Sequence, residues 1–233
     1  MISALEWQIV LLSLKVGTVA MAVTLPLAYA LAWVLARKTF PGRILLDALV
    51  HLPLVLPPVV TGYGLLLLFG RAGPVGGWLE AAFGITLAFR WTGAALAAGV
   101  MALPLMVRAM RLGIEAVDER LVEAARTLGA SRWRSFATIV LPLSAPGILA
   151  GTVLGFARSL GEFGATITFA ANIPGETRTL PLAIYAALQV PGSDAAVARL
   201  AVLSVILSLN ALVLSEWLVR RRALPGWSQR HVV

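Results

Sequence analysis

A chain of 233 residues, 59% hydrophobic and only 13% charged, is too apolar for a soluble domain and calls for a bilayer around it. Its formal net charge of +8 does not signal nucleic acid, because the basic residues cluster between apolar runs and form no stripe with interleaved aromatics. The absence of cysteine excludes disulfide frameworks, thiolate metal sites and cysteine nucleophiles.

A spanning helix needs about 20 predominantly apolar residues. The first candidate runs from about Leu11 to Ala36. Its run from Val16 to Ala36 is too long for the core of a cleaved signal peptide and reads as a retained helix. Lys15 lies near enough to one end to snorkel, and the span stops at Arg37, Lys38 and Pro41-Gly42-Arg43. A second span covers about Ala48 to Phe69, with Pro53, Pro57, Pro58, Gly62 and Gly64 breaking its regularity into either a gating bend or a static kink. His51 reads as a satisfied interfacial histidine, since no second ligand stands at metal-binding spacing, and neither metal nor cofactor is expected.

Further spans cover about Trp91 to Val107, Leu143 to Phe163 and Val197 to Val219. The glycine-rich stretch from Arg71 to Arg90 connects two of them. Within Ala171 to Ala196, residues Leu180 to Gln189 read as a short helix starting near Pro181, interfacial or re-entrant, and not as a sixth span. The expected fold is an all-α integral membrane protein, a single transmembrane domain over residues 1–233 with about five spans.

Orientation follows from the positive-inside rule. Arg37, Lys38 and Arg43, the segment from Arg108 to Arg134, and the tail with Arg220, Arg221, Arg222 and Arg230 hold roughly two-thirds of the basic residues. All three regions fall on one side if there are five spans. That side is the cytoplasm, which places the carboxyl terminus inside and the amino terminus outside.

Between the third and fourth spans, Gly113 to Pro142 is helical in composition but too charged for lipid. A helical run from Ile114 to Leu128 carries Glu123, Ala124 and Ala125. Two alanines offer a smooth surface for close approach, and Glu123 offers a charge for an external arginine. Gly129 can take the left-handed conformation that ends a helix, Ser131 can cap the next one, and Trp133 and Phe136 supply large apolar contacts. The expected shape is a helix-turn-helix knob. Composition alone favours an ordinary amphipathic loop helix.

The spacing decides between these readings. Glu123-Ala124-Ala125, then Gly129, then Ile139, Leu141 and Pro142 resembles the cytoplasmic loop signature of ABC importer permeases at every defining position. The resemblance implies that residues 113–142 dock in a groove of a cytoplasmic ABC ATPase, two copies per assembly. The chain has no Gly-x4-Gly-Lys-Ser/Thr loop, so it is expected to be a transport subunit and not an enzyme.

Beyond the loop, the chain is similar to the molybdate permease subfamily over nearly its whole length. The likeness is densest in Phe40-Pro41-Gly42-Arg43, in Leu52 to Val60, in Pro104 to Arg108, and from Ala157 through Tyr185, including Gly161 to Thr166 and Asn172 to Thr177. It implies a molybdate importer of the bacterial cytoplasmic membrane working by alternating access. Implied partners are a second copy of the chain as a homodimer, membrane lipid and an extracytoplasmic molybdate-binding protein docking near Asn172 to Thr179. Some molybdate permeases carry an additional amino-terminal span; a five-span version is expected here. Sulfate, thiosulfate or tungstate permeases are the near alternative. An ion-gradient-driven secondary transporter is the alternative from another class, disfavoured by the docking loop and the lack of an inverted repeat.

Arg158 and Glu162 stand one helical turn apart in an apolar span, where ionisable groups face a cavity or each other. They either line the pathway or form a structural pair. A tightly cationic conduit would hold its anion too firmly to release it. Weak contacts from Thr61, Ser159, Thr166 and Asn172 suit transport better, although backbone could satisfy each of them.

Overall fold

The computed structural model describes residues 3–222. Helix α1 (Ala4–Arg37) has 34 residues and, at ~1.5 Å per residue, reaches about 50 Å. It begins well before Leu11 because a capping box starts it: the Glu6 N–H donates to Ser3 Oγ and the Ser3 N–H donates to Glu6 Oε2. Glu6 tolerates burial by pairing with Arg199 Nε at 3.0 Å.

The second span is not one continuous helix. It divides into α2 (Arg43–Val55) and α3 (Pro58–Phe69), bent by 116°. Pro57 and Pro58 lack the N–H groups that would continue α2, and each proline pushes the residue before it into extended backbone. Leu56, at φ −70° and ψ 144°, carries that turn.

The glycine-rich connection holds a helix that its composition does not announce, α4 (Pro74–Phe83), with proline at its start and Gly84 in the left-handed region at its end. Helix α5 (Trp91–Glu115) continues past Val107 to Glu115. Arg111 sustains this extension, pairing with Glu115 at 2.8 Å and Asp47 of α2 at 3.5 Å.

Next come α6 (Glu119–Thr127) and α7 (Arg132–Ser135), then a π-helical turn over Phe136–Val140 that runs into α8 (Leu141–Leu160). Pro142 has no N–H to donate to the Thr138 carbonyl, and the Leu141 N–H reaches back to the Phe136 carbonyl instead. The chain finishes with α9 (Gly164–Phe169), α10 (Leu180–Leu188) and α11 (Asp194–Arg222). Helix α10 is the short helix expected near Pro181. Arg230 lies outside the described residues.

Among the described residues four helices are long and apolar enough to cross a membrane, five spans when the bent pair counts as one. The protein is therefore an all-α multi-pass membrane protein, as expected. Helix α5 forms its axis, burying Ala94, Ala95, Ala98, Ala102, Met106, Met110 and Ile114 against Val16, Ala20, Ala28, Ala32 and Leu35 of α1. Alanine-rich faces let helix backbones approach where the hydrophobic effect between spans is weak. Gly155 of α8 leaves room for Met106 of α5 and Met21 of α1, whose Cγ and Sδ would lie 2.7 and 2.8 Å from an added Cβ. Large apolar residues of α2, α3 and α11, such as Ile44, Val55, Val59 and Val213, stay exposed.

Candidate functional site

Helix α5 ends at Ala116, which interrupts the helical run expected from Ile114 onward. The free-standing part of the loop is thus shorter than 113–142. Gly113 belongs to α5, while Ile139, Leu141 and Pro142 belong to the helix that descends into α8.

Asp118 caps α6, its Oδ1 accepting the Arg120 N–H at 2.9 Å. At the other end Gly129 sits at φ 89°. The Gly129 N–H donates to the Arg126 carbonyl and the Ala130 N–H to the Ala125 carbonyl, both at 3.0 Å, the paired bonds of a Schellman termination. Ser131 Oγ then accepts the Arg134 N–H at 3.2 Å and starts α7. Helix, turn and helix follow in the expected order.

Within this knob Glu123 and Ala124 are exposed, and Ala125 is half-buried. Leu128 is 89% and Trp133 75% exposed, so the knob displays two large apolar side chains to whatever covers it. Leu128 escaped the sequence reading. Its signal was an apolar residue one turn after Ala124, just before the glycine that ends the helix.

Phe136 turns inward. Its ring stacks on Trp133 at 5.3 Å, meets the edge of Trp33 at 5.0 Å and lies 6.1 Å from Tyr29. Tyr29 Oη and Ser144 Oγ share a hydrogen bond of 3.2 Å. Nearby, Arg37 pairs closely with Glu119 and donates from Nη2 to the carbonyls of Ile114 and Val117, each at 3.0 Å. Tyr29, Trp33 and Glu119 were not singled out from the sequence, and Arg37 was read there only as a basic residue flanking the first span.

The six membrane residues do not share one surface. Arg158 pairs with Glu162 at 2.8 Å, and the Glu162 side chain is 2% exposed. The other carboxylate oxygen accepts the Ala165 N–H at 2.8 Å, so the pair fastens α8 to α9. Ser159 donates to the Phe156 carbonyl at 2.7 Å and faces Gly17 of α1. Asn172 donates to the Leu182 carbonyl and accepts from Arg178 Nε at 2.8 Å.

Thr61 and Thr166 lie on α3 and α9, which touch where a Cβ on Gly62 would fall 2.6 Å from the Ala165 carbonyl oxygen. Thr166 is buried. Thr61 Oγ1 is buried with no hydrogen-bond partner among the described residues, which leaves it available for a ligand or water. No group of three or more potential metal-ligating side chains occurs among the described residues.

Comparison with known proteins covers most of this architecture. Residues 25–224 match the model of the family described as binding-protein-dependent transport system inner membrane component. The molybdenum transport system permease protein ModB of Escherichia coli (strain K12) is 61% identical over 215 residues, 92% of this chain and 94% of that protein. The sulfate transport system permease protein CysT of the same strain is 45% identical over 184 residues, 79% of this chain and 65% of that protein. Among solved structures, a bacterial ABC transporter involved in the import of the acidic polysaccharide alginate superimposes with a TM-score of 0.73 at 18% identity, over 94% of this chain and 80% of that one.

Proposed function

The chain belongs to the family of binding-protein-dependent transport system inner membrane components, and on that premise we propose that it is the permease subunit of an ATP-driven importer for molybdate. Two copies enclose one pathway and reorient between outward- and inward-facing states. Each copy offers its knob at residues 113–142 to a cytoplasmic ATPase subunit. An extracytoplasmic binding protein delivers molybdate near Asn172 to Thr179. The carboxyl terminus lies in the cytoplasm and the amino terminus outside, as the distribution of basic residues supports.

The observation that carries this reading is the knob itself. It is capped at Asp118, closed by a Schellman turn at Gly129, restarted at Ser131, and crowned by exposed Ala124, Leu128 and Trp133. A turn fixed by backbone hydrogen bonds at the end of α6 and by a side-chain cap at the start of α7 keeps its shape under load, which a lever requires. ATP is hydrolysed by the partner, since the chain holds no phosphate-cradling Gly-x4-Gly-Lys-Ser/Thr loop. Glu123 pairs with a partner arginine, and the small side chains of Ala124 and Ala125 let the partner close on α6.

Within the membrane, Thr61, Arg158, Ser159, Glu162, Thr166 and Asn172 are proposed pathway groups. Thr61 is the strongest of them, because its hydroxyl lacks an internal partner. Molybdate is favoured over sulfate by the higher identity to the molybdenum permease over more of the chain. The test is ATP-dependent uptake of molybdate into vesicles holding this chain and its ATPase, with the binding protein present and sulfate as competitor. Molybdate uptake that excess sulfate leaves intact supports the reading; sulfate uptake without molybdate uptake replaces the substrate.

A further inference from the structure

Tyr29, Trp33 and Arg37 recur every fourth residue and so form one stripe on the cytoplasmic end of α1. All three grip the knob or the helix it leads into. Tyr29 bonds to Ser144 and lies beside Phe136; Trp33 meets Phe136 edge-on; Arg37 holds Glu119 and two carbonyls of the α5–α6 junction. The stripe thus contacts the segments on both sides of the Gly129 turn.

The opposite end of α1 is fastened as firmly. Ser13 Oγ, buried, accepts the Leu180 N–H that opens α10 at 2.8 Å, Glu6 holds Arg199 of α11, and Lys15 Nζ rests 3.7 Å from the centroid of the Trp91 ring at the start of α5. Between these anchorages α1 packs its alanines along α5. A force applied to the knob therefore reaches α1 as well as α5 and α8, and α1 carries it on to α10 and α11.

We propose that the Tyr29–Trp33–Arg37 stripe, with Phe136 as its counterpart, is the mechanical link that converts movement of the docked knob into movement of α1. The proposal rests on the reading of the knob as the ATPase dock. Knob and α1 move as one body, because the stripe also spans the π-helical turn at Phe136–Val140, where Tyr29 reaches both Phe136 and Ser144, and the α5–α6 break, where Arg37 holds the carbonyls of Ile114 and Val117. These are positioning residues; none of them is assigned contact with substrate.

The experiment uses the assembled transporter in lipid vesicles and reads ATP hydrolysis and molybdate uptake together. Phe136→Ala still assembles with the ATPase and still hydrolyses ATP, because Phe136 turns inward, but uptake per ATP falls about tenfold because its two aromatic contacts to α1 are lost. Phe136→Trp restores it. Unchanged uptake per ATP in Phe136→Ala overturns the proposal.

A second arm leaves the stripe intact. Lys38 and Val122 line one cleft between α1 and the knob, so Lys38→Cys/Val122→Cys can be bridged by a short thiol cross-linker in the assembled complex. A rigid unit keeps pumping when bridged. Bridged transporter that hydrolyses ATP but stops pumping means the knob slides over α1, which contradicts the proposal. If the wild type itself shows no ATP-driven uptake, the functional reading fails instead.

Discussion

Gly113 of α5 and Gly147 of α8 face each other at the crossing of the two helices, so closely that a Cβ on Gly147 would lie 2.7 Å from the Gly113 Cα and one on Gly113 would lie 2.8 Å from the Gly147 Cα. No side chain fits between them. Gly147→Leu is expected to destabilise the fold by about 1–3 kcal/mol through overpacking. Gly64→Ala, where nothing lies within 4 Å, stays neutral or gains about 0.5–1 kcal/mol of helix preference. Thermal unfolding of both variants in detergent checks the contrast.

The Arg158–Glu162 pair predicts a second, non-additive pattern. Arg158→Met leaves the Glu162 carboxylate buried with only the Ala165 N–H beside it, a loss of about 3 kcal/mol. In Arg158→Met/Glu162→Met the orphaned charge is gone, and most of that stability returns. A double-mutant cycle on unfolding free energies measures the coupling; additive losses would show that the two groups do not act as a pair.

The loop between α9 and α10 turns on Thr177, which is fully buried, donates to the Ala171 carbonyl at 3.1 Å and accepts the Ile173 N–H at 2.9 Å. Thr177→Val keeps the shape and removes both bonds. A loss of about 1–3 kcal/mol is expected, together with faster amide exchange over residues 171–179. Thr177→Ser retains the bonds and most of the protection.

The proposed docking makes the conformation of Gly129 and the smoothness of α6 decisive. Gly129→Pro, at φ 89° where proline cannot sit, and a tryptophan at Ala125 are expected to abolish uptake and capture of the ATPase. Membrane insertion is unaffected, because neither position lies in a span. The check is co-purification of the ATPase with membrane-extracted protein.

How far the sequence alone carried depends on how local each feature is. Gly129, Ser131 and the short helix at Pro181 were legible because caps and turns are written in a few adjacent residues. The prolines of the second span announced a break. They did not announce its 116° angle, since a bend of that size is set by what the two halves pack against. Helix α4 was hidden by its glycines, which lower intrinsic helix preference.

The grip of α1 on the knob was illegible for a different reason. Tyr29 and Trp33 meet Phe136, and Arg37 meets Glu119, across wide sequence separations, and no local pattern announces such partners. The four-residue spacing of the three α1 side chains was visible, yet on a span it reads equally as a lipid-facing stripe. The partners of Ser159 and Asn172, the Phe156 carbonyl for one and the Leu182 carbonyl with Arg178 for the other, were likewise not displayed by the sequence.

The central claim is that the exposed turn around Leu128 faces the cytosol and is covered by a separate ATPase. The chain has no cysteine, so Leu128→Cys introduces a single thiol at a position 89% exposed, and its labelling by a membrane-impermeant maleimide is the most direct measurement. Labelling in inside-out vesicles but not in intact cells, suppressed when the ATPase subunit is bound, is the predicted result. Labelling in intact cells, or labelling that the ATPase leaves unchanged, would contradict the account.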